Sequence, residues 1–325
     1  MAQEKVYEAE KTPSTVELDV CKSDELGEPP NGGFQAWAQV LAAFSIFLNT
    51  CVVMVSQYFT TKLAFATGIA STGSSLAIIY PVIINQLQPQ IGFGWTVRTI
   101  AFIMLGTSVI TLPFMRQRIP APAVRKPFDL AAFKERPYLF ANFGVFFGFM
   151  GIYIPFFYSE IYAKSVCKAS DNIAFYLLAI INGGSVLGLL VPNFLADRTG
   201  PLNMQIVFGL VAAILAFCWI SIRNTGGIIA FAILYGFFSG TFVSLAGPIM
   251  VSLSPNYATV GTRMGMALGS SGVGLLIGSP IAGAILRNHG WSGLQAWCGA
   301  LLTLSYLSML SARLAKVGYS WNAVA

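Results

Sequence analysis

The chain has 325 residues and a formal charge of +6, yet only 10% of its residues are charged, against about a quarter in a soluble domain. Hydrophobic residues make up 55% and mean hydropathy is +0.69, which excludes one water-soluble globule and calls for lipid as solvent. The basic residues mostly lie between apolar runs and are not clustered on a polar domain, which argues against nucleic acid as a partner. Cys21, Cys51, Cys167, Cys218 and Cys298 form no CxxC pair, and His289 is the single histidine. A disulfide framework, a metal centre and a bound cofactor are therefore not expected.

In chain order, residues 1–30 come first, with eight acidic and three basic residues. That composition cannot build a core and reads as a disordered acidic tail. Nine candidate spanning helices follow, at about 34–55, 63–87, 95–115, 138–160, 172–196, 202–222, 227–250, 263–286 and 294–314, each long enough to cross roughly 30 Å of hydrocarbon. Pro81, Pro113, Pro155, Pro192 and Pro280 fall within these runs, where bundle neighbours can satisfy the carbonyls they free.

The long internal loop, 116–136, carries six basic and two acidic residues. Its basic excess predicts a cytoplasmic linker between a first block, 31–115, and a six-helix second block, 137–315. Counting forward puts ten basic residues inside and four outside, with 316–325 as a cytoplasmic tail. Counting backward gives a conflict. Thr60-Thr61-Lys62 falls inside, so helix 34–55 spans once only if the acidic tail lies outside.

Glycines four apart recur as Gly144/Gly148, Gly184/Gly188, Gly236/Gly240, Gly265/Gly269 and Gly274/Gly278. That spacing puts both on one helix face and lets helix backbones approach closely. Packing accounts for any single pair; their accumulation in one block suits helices that also slide, as alternating access requires. Leu195-Ala196-Asp197-Arg198-Thr199-Gly200 lies between two apolar runs on the cytoplasmic side. As a plain polar turn it needs no function, but its Asp and Arg can also pair with helix ends and brace one conformation.

This loop resembles the second-half signature loop of the major facilitator superfamily. Gly32-Gly33-Phe34-Gln35-Ala36-Trp37, Tyr58-Phe59-Thr60-Thr61-Lys62 and Ala66-Thr67-Gly68-Ile69-Ala70 resemble its fungal monocarboxylate-transporter-like branch. So do Ile181 to Gly188, running into Asn193 to Asp197, and Gly261-Thr262-Arg263-Met264-Gly265 followed by Gly278 to Gly283. The resemblance covers residues 31 to about 315 and implies an all-α polytopic membrane protein. The family has twelve helices, six plus six; this chain resembles it with the first helix joined near Thr50-Cys51 to the end of the fourth. The implied fold is a helical bundle of about nine helices, three plus six, with an incomplete first block, which accounts for the conflict at helix 34–55.

Two residues depart from the branch pattern. Leu189 stands where it places an arginine, and Asn31 where the opening tract commonly has Asp. A membrane-embedded arginine is costly and is kept to bind an anion or couple a proton, so its loss weakens carboxylate–proton symport. The resemblance implies a secondary active transporter of a small organic solute, either a monocarboxylate-like acid or a secondary metabolite. Its expected setting is the lipid bilayer of the plasma membrane, with proton coupling a further implication; nothing in the sequence selects an oligomeric state. The uncharged candidates for the solute pathway are Asn142, Tyr153, Tyr158, Asn182, Ser185, Ser239, Thr241 and Ser244, and the conformational-loop candidates are Asp197, Arg198, Gly200 and Arg263. Arg98 and Arg263 lie near helix starts, where they can snorkel to the interface.

Two other classes compete. A chain lacking part of its first block could be a transport-incompetent remnant or a splice or gene-model variant. Gly269-Ser270-Ser271-Gly272 resembles the nucleophile tract of rhomboid-type intramembrane proteases, with His289 as base. However, Ser271 and His289 stand 18 residues apart on one helix, roughly 27 Å, and a base must reach its nucleophile at about 3 Å. No enzyme activity is expected.

Overall fold

The computed structural model describes residues 55–56, 58–59, 61–76, 79–111, 113 and 128–319. Helix 34–55 therefore lies almost wholly outside the described residues, as do the acidic tail, most of the linker and the last residues of the chain. Within the described residues the structure is helical: α1 (Leu63–Leu76), α2 (Ile79–Thr111), α3 (Arg136–Ile152), α4 (Ile154–Ser165), α5 (Asp171–Thr199), α6 (Pro201–Cys218), α7 (Thr225–Ser252) and α8 (Tyr257–Val317). Short 3-10 turns at Leu130–Lys134 and Trp219–Ser221 complete it.

Six helices among the described residues are long and apolar enough to span a membrane: Ile83–Ile110, Arg136–Ser165, Asp171–Thr199, Pro201–Ser221, Thr225–Ser252 and Thr259–Val317. The last has 59 residues, about 90 Å of helix, close to three hydrocarbon thicknesses. It serves as two passes, because Gly290 breaks it at φ 69° and ψ −167°, a backbone open to glycine and strained for residues with a Cβ. The two runs expected at 263–286 and 294–314 lie on either side of that break.

The expected boundaries shift in the first block. In the run 63–87, residues 77–78 lie outside the described residues; α1 covers Leu63–Leu76, and α2 covers Ile79–Thr111 through a break at Gly92 (φ 75°, ψ 164°). The run at 138–160 is interrupted. Pro155 has no N–H to give the carbonyl of Gly151, and α3 ends at Ile152 with Tyr153 as the joint. Two neighbours replace the lost partners. Tyr235 Oη donates to the Ile152 carbonyl at 2.8 Å, and Cys298 Sγ donates to the Gly151 carbonyl at 3.5 Å.

The glycine pairs separate into two kinds. A Cβ on Gly184 or Gly188 of α5 would come within 2.4 and 1.9 Å of the Ile233 and Phe237 carbonyl oxygens of α7. Gly236 and Gly240 of α7 meet the Ile181 and Ser185 carbonyls in return, at 2.0 and 2.8 Å. The two backbones thus touch along the whole crossing, where dispersion replaces the absent hydrophobic drive. Gly274 and Gly278 bring α8 against the Phe146 and Met150 carbonyls of α3 in the same way, while Gly144 and Gly148 of α3 seat Met309 and Phe242. Gly265 and Gly269, expected to pack, do not: a Cβ there meets nothing within 4 Å. Both are exposed on the surface of α8.

An aromatic core fills the bundle at the end remote from the linker. Trp219 stacks on Phe231, Phe231 on Tyr235, and Tyr162 meets Trp219 and Trp291 edge-on.

Candidate functional site

A cavity of about 260 Å³ lies where α1 meets α3, α7 and α8. Val145, Phe149 and Tyr153 form one wall, and Val243, Ser244 and Met250 another. Met264, Leu268, Ser271 and Gly272 line it from α8, and Thr67 and Ser71 from α1. Tyr153 stands in this wall because it is the joint between α3 and α4. Among the described lining residues there is no ionisable group apart from the Tyr153 phenol.

The eight pathway candidates divide. Tyr153 and Ser244 line the cavity; the other six are not among its lining. Asn142 accepts from Ser270 Oγ at 2.9 Å, and Tyr158 donates to the Ser279 carbonyl at 3.1 Å. Asn182 donates to the Leu178 carbonyl of its own helix, and Ser239 to that of Gly236. Ser185 shares a 2.8 Å hydrogen bond with Ser75 of α1, and Thr241 donates to the Gly188 carbonyl across the α5–α7 crossing. Ser244 donates to the Thr241 carbonyl and accepts from Asn193 Nδ2.

Asp197 sits in the last turn of α5, where a negative charge opposes its own helix dipole. Its partners account for the placement. The carboxylate accepts from the backbone amides of Ala64 (2.8 Å) and Phe65 (3.0 Å), the orphan donors at the start of α1. Gly200 then turns the chain at φ 95°, and Arg198 lies over the Phe194 ring at 5.1 Å. A Cβ on Gly68 would lie 2.3 Å from the Leu189 carbonyl, so α1 and α5 meet backbone to backbone between Asp197 and Ser75. Leu189, where the resemblance places an arginine, is buried in that seam.

Arg263 does not snorkel. It is only 3% exposed, and its guanidinium is matched by two carboxylates from the end of the linker. Nε donates to Asp129 at 3.1 Å, Nη1 and Nη2 donate to the Glu135 carboxylate, and Nη1 also reaches the Leu253 carbonyl. Sequence reasoning missed this because the partners lie 134 and 128 positions away. It also missed Thr67 and Ser71, although Ser71-Thr72-Gly73-Ser74-Ser75 is a hydroxyl cluster inside an apolar run.

The two serines of the protease alternative donate to carbonyls of their own helix. Ser271 Oγ donates to the Leu268 carbonyl and Ser270 Oγ to that of Ala267. Among the described residues no group of His, Cys, Asp and Glu could hold a metal ion.

No family profile matches the chain. It is 36% identical over 253 residues to the MFS-type transporter dbaD of Emericella nidulans, covering 77% of this chain and 57% of the relative. It is 38% identical over 255 residues to the aspyridones efflux protein apdF of the same fungus, covering 77% and 52%. A crystal structure of the Escherichia coli fucose:proton symporter FucP superposes with a TM-score of 0.64 at 14% identity, over 86% of this chain and 82% of that one. In sequence the chain is similar to fungal transporters of the major facilitator superfamily, and in fold to a solved member of it. It spans only 52–57% of the length of these two fungal relatives.

Proposed function

We propose that the protein is a secondary active transporter that moves a small organic solute across a membrane by alternating access through this cavity. The observation that carries the proposal is the cavity's place between α1 on one side and α3, α7 and α8 on the other, helices that the resemblance assigns to different blocks. A relative movement of the blocks would expose such a site to one side and then the other. The efflux relative of Emericella nidulans supports export of a secondary metabolite over uptake of a monocarboxylate. Proton coupling, the plasma membrane, the monocarboxylate-like branch and a shortened first block belong to this proposal. So does the division into tail, first block, linker, second block and terminal tail. Asp197 with Arg198 and Gly200, and Arg263 with its two carboxylates, would hold the cytoplasmic ends in one arrangement of the cycle.

The test is flux from proteoliposomes with a panel of monocarboxylates and fungal metabolites, comparing the native chain with Gly272→Phe. A Cβ at Gly272 meets nothing within 4 Å, so the ring has space to enter the cavity without forcing helices apart. Loss of flux with unchanged folding is expected; full flux in the variant refutes the route.

One observation favours a second reading, a transport-incompetent remnant. The apolar window of Ile83–Ile110 is only 6% buried, with Phe93, Phe102 and Leu105 exposed. A well-folded protein without flux for any of the panel would support that reading.

A further inference from the structure

The hydroxyl groups around the cavity are not equivalent. Thr67 Oγ1 donates to the Leu63 carbonyl, Ser244 Oγ to that of Thr241, and Ser271 Oγ to that of Leu268. Each has spent its single proton on the backbone and can only accept. Ser71 and Tyr153 differ. Both line the cavity, neither hydroxyl has a hydrogen-bond partner among the described residues, and Ser71 is only 2% exposed. Both hydroxyls border the cavity with their protons unspent, and so can donate to an acceptor brought from outside.

The rest of the lining is apolar and soft. Phe149 and Tyr153 lie 6.1 Å apart, Phe242 backs Phe149 at 6.0 Å, and Met250 and Met264 face the same space. Aromatic rings and thioethers favour a flat, polarisable guest. The guest would also be uncharged. Arg263 adjoins the cavity residue Met264, but Asp129 and Glu135 already match its charge. A carboxylate in the cavity would lose its water and gain no cation in return.

Resting on the transport reading, we infer that the cavity takes a neutral, ring-containing solute whose carbonyl or ether oxygens accept hydrogen bonds from Ser71 and Tyr153. The proposal names donors and charge state, and so separates solutes that differ only by ionisation.

The experiment uses the full chain in lipid nanodiscs and the matched probes methyl 2-naphthoate and 2-naphthoate. Binding of the tritiated ester is measured above empty nanodiscs, and the anion competes with it at neutral pH. Saturable ester binding is expected, with the anion at least about 10-fold weaker, equivalent to about 1.4 kcal/mol. Ser71→Ala and Tyr153→Phe should each weaken the ester about 5- to 10-fold, the loss of one hydrogen bond, with unchanged melting temperature. Ester binding that does not saturate, an anion that binds as tightly as the ester, or hydroxyl variants that bind like the native chain would each overturn the inference. Flux is a separate readout. Saturable, hydroxyl-dependent binding without flux would sink the transport reading and leave the ligand class standing; flux without hydroxyl dependence would do the reverse.

Discussion

Replacing Gly188 by alanine adds one methyl group at the tightest point of the α5–α7 crossing. That carbon would lie 1.9 Å from the Phe237 carbonyl oxygen, 2.7 Å from its carbonyl carbon and 2.9 Å from its Cα. All three are backbone atoms of a helix, so no rotamer change relieves the clash. Ordinary contact begins near 3.4 Å, and α5 and α7 must separate by roughly 1.5 Å at this point. Gly184, Gly236 and Gly240 then lose their own close contacts, because they share the crossing. Overpacking of this sort costs about 1–3 kcal/mol, and a rigid backbone neighbour puts this site at the upper end. With about 2–4 °C per kcal/mol for a chain of this size, the melting temperature in detergent should fall by about 5–10 °C. Gly183→Ala is the control. It lies on the same helix, exposed, with nothing within 4 Å of its added carbon. Its melting temperature should match or slightly exceed the native value, since alanine favours helix by about 1 kcal/mol over glycine. The two are compared by fluorescence-detected thermal unfolding. Equal melting temperatures for the two variants would refute the argument that backbone contact holds this crossing together.

Three other outcomes follow from the geometry. Asp197→Ala removes two charge-assisted hydrogen bonds to the start of α1; with a local cost of about 2 kcal/mol, deuterium exchange at Ala64 and Phe65 should accelerate about 30-fold while the α7 amides are unaffected. Glu135→Gln leaves the buried Arg263 with Asp129 as its remaining anion and should destabilise the fold by about 1–2 kcal/mol, less than a fully buried pair because the Glu135 side chain is 48% exposed; a native melting temperature would contradict this. Burial pushes the Cys167 thiol up while Arg223 pulls it partly back. Less thiolate is therefore present at a given pH, so maleimide labelling of Cys167, followed by mass spectrometry, should set in at higher pH than for free cysteine and shift higher still in Arg223→Ala.

The second block was legible because membrane helices leave long apolar runs, and its punctuation survives as structure: Asn224 and Asn256 cap α7 and α8, and Gly200 and Gly290 turn the chain. The first block was harder to read. The expected gap between the runs 63–87 and 95–115 is helical, and the backbone break there is the single residue Gly92. Hydroxyls in apolar runs were recognised as candidates, but their roles depend on which helix lies opposite. Ser185 and Thr241 spend their bonds on neighbours, whereas Ser71 and Tyr153 do not. Periodicity places a residue on a face and leaves open what that face meets. For the same reason Gly265 and Gly269 share their spacing with Gly184 and Gly188 but not their environment.

The junction of α1 with α5 is fastened at three levels by unlike means: an ion against a helix start at Asp197, bare backbone at Gly68, and a pair of hydroxyls at Ser75 and Ser185. Fastenings of different chemistry need not let go together. Salt weakens the first by screening, bulk at Gly68 would wedge the second, and water entering from the far side competes for the third. The joint can thus be undone from either end while the other still holds, like a strip of cloth pinned at both hems.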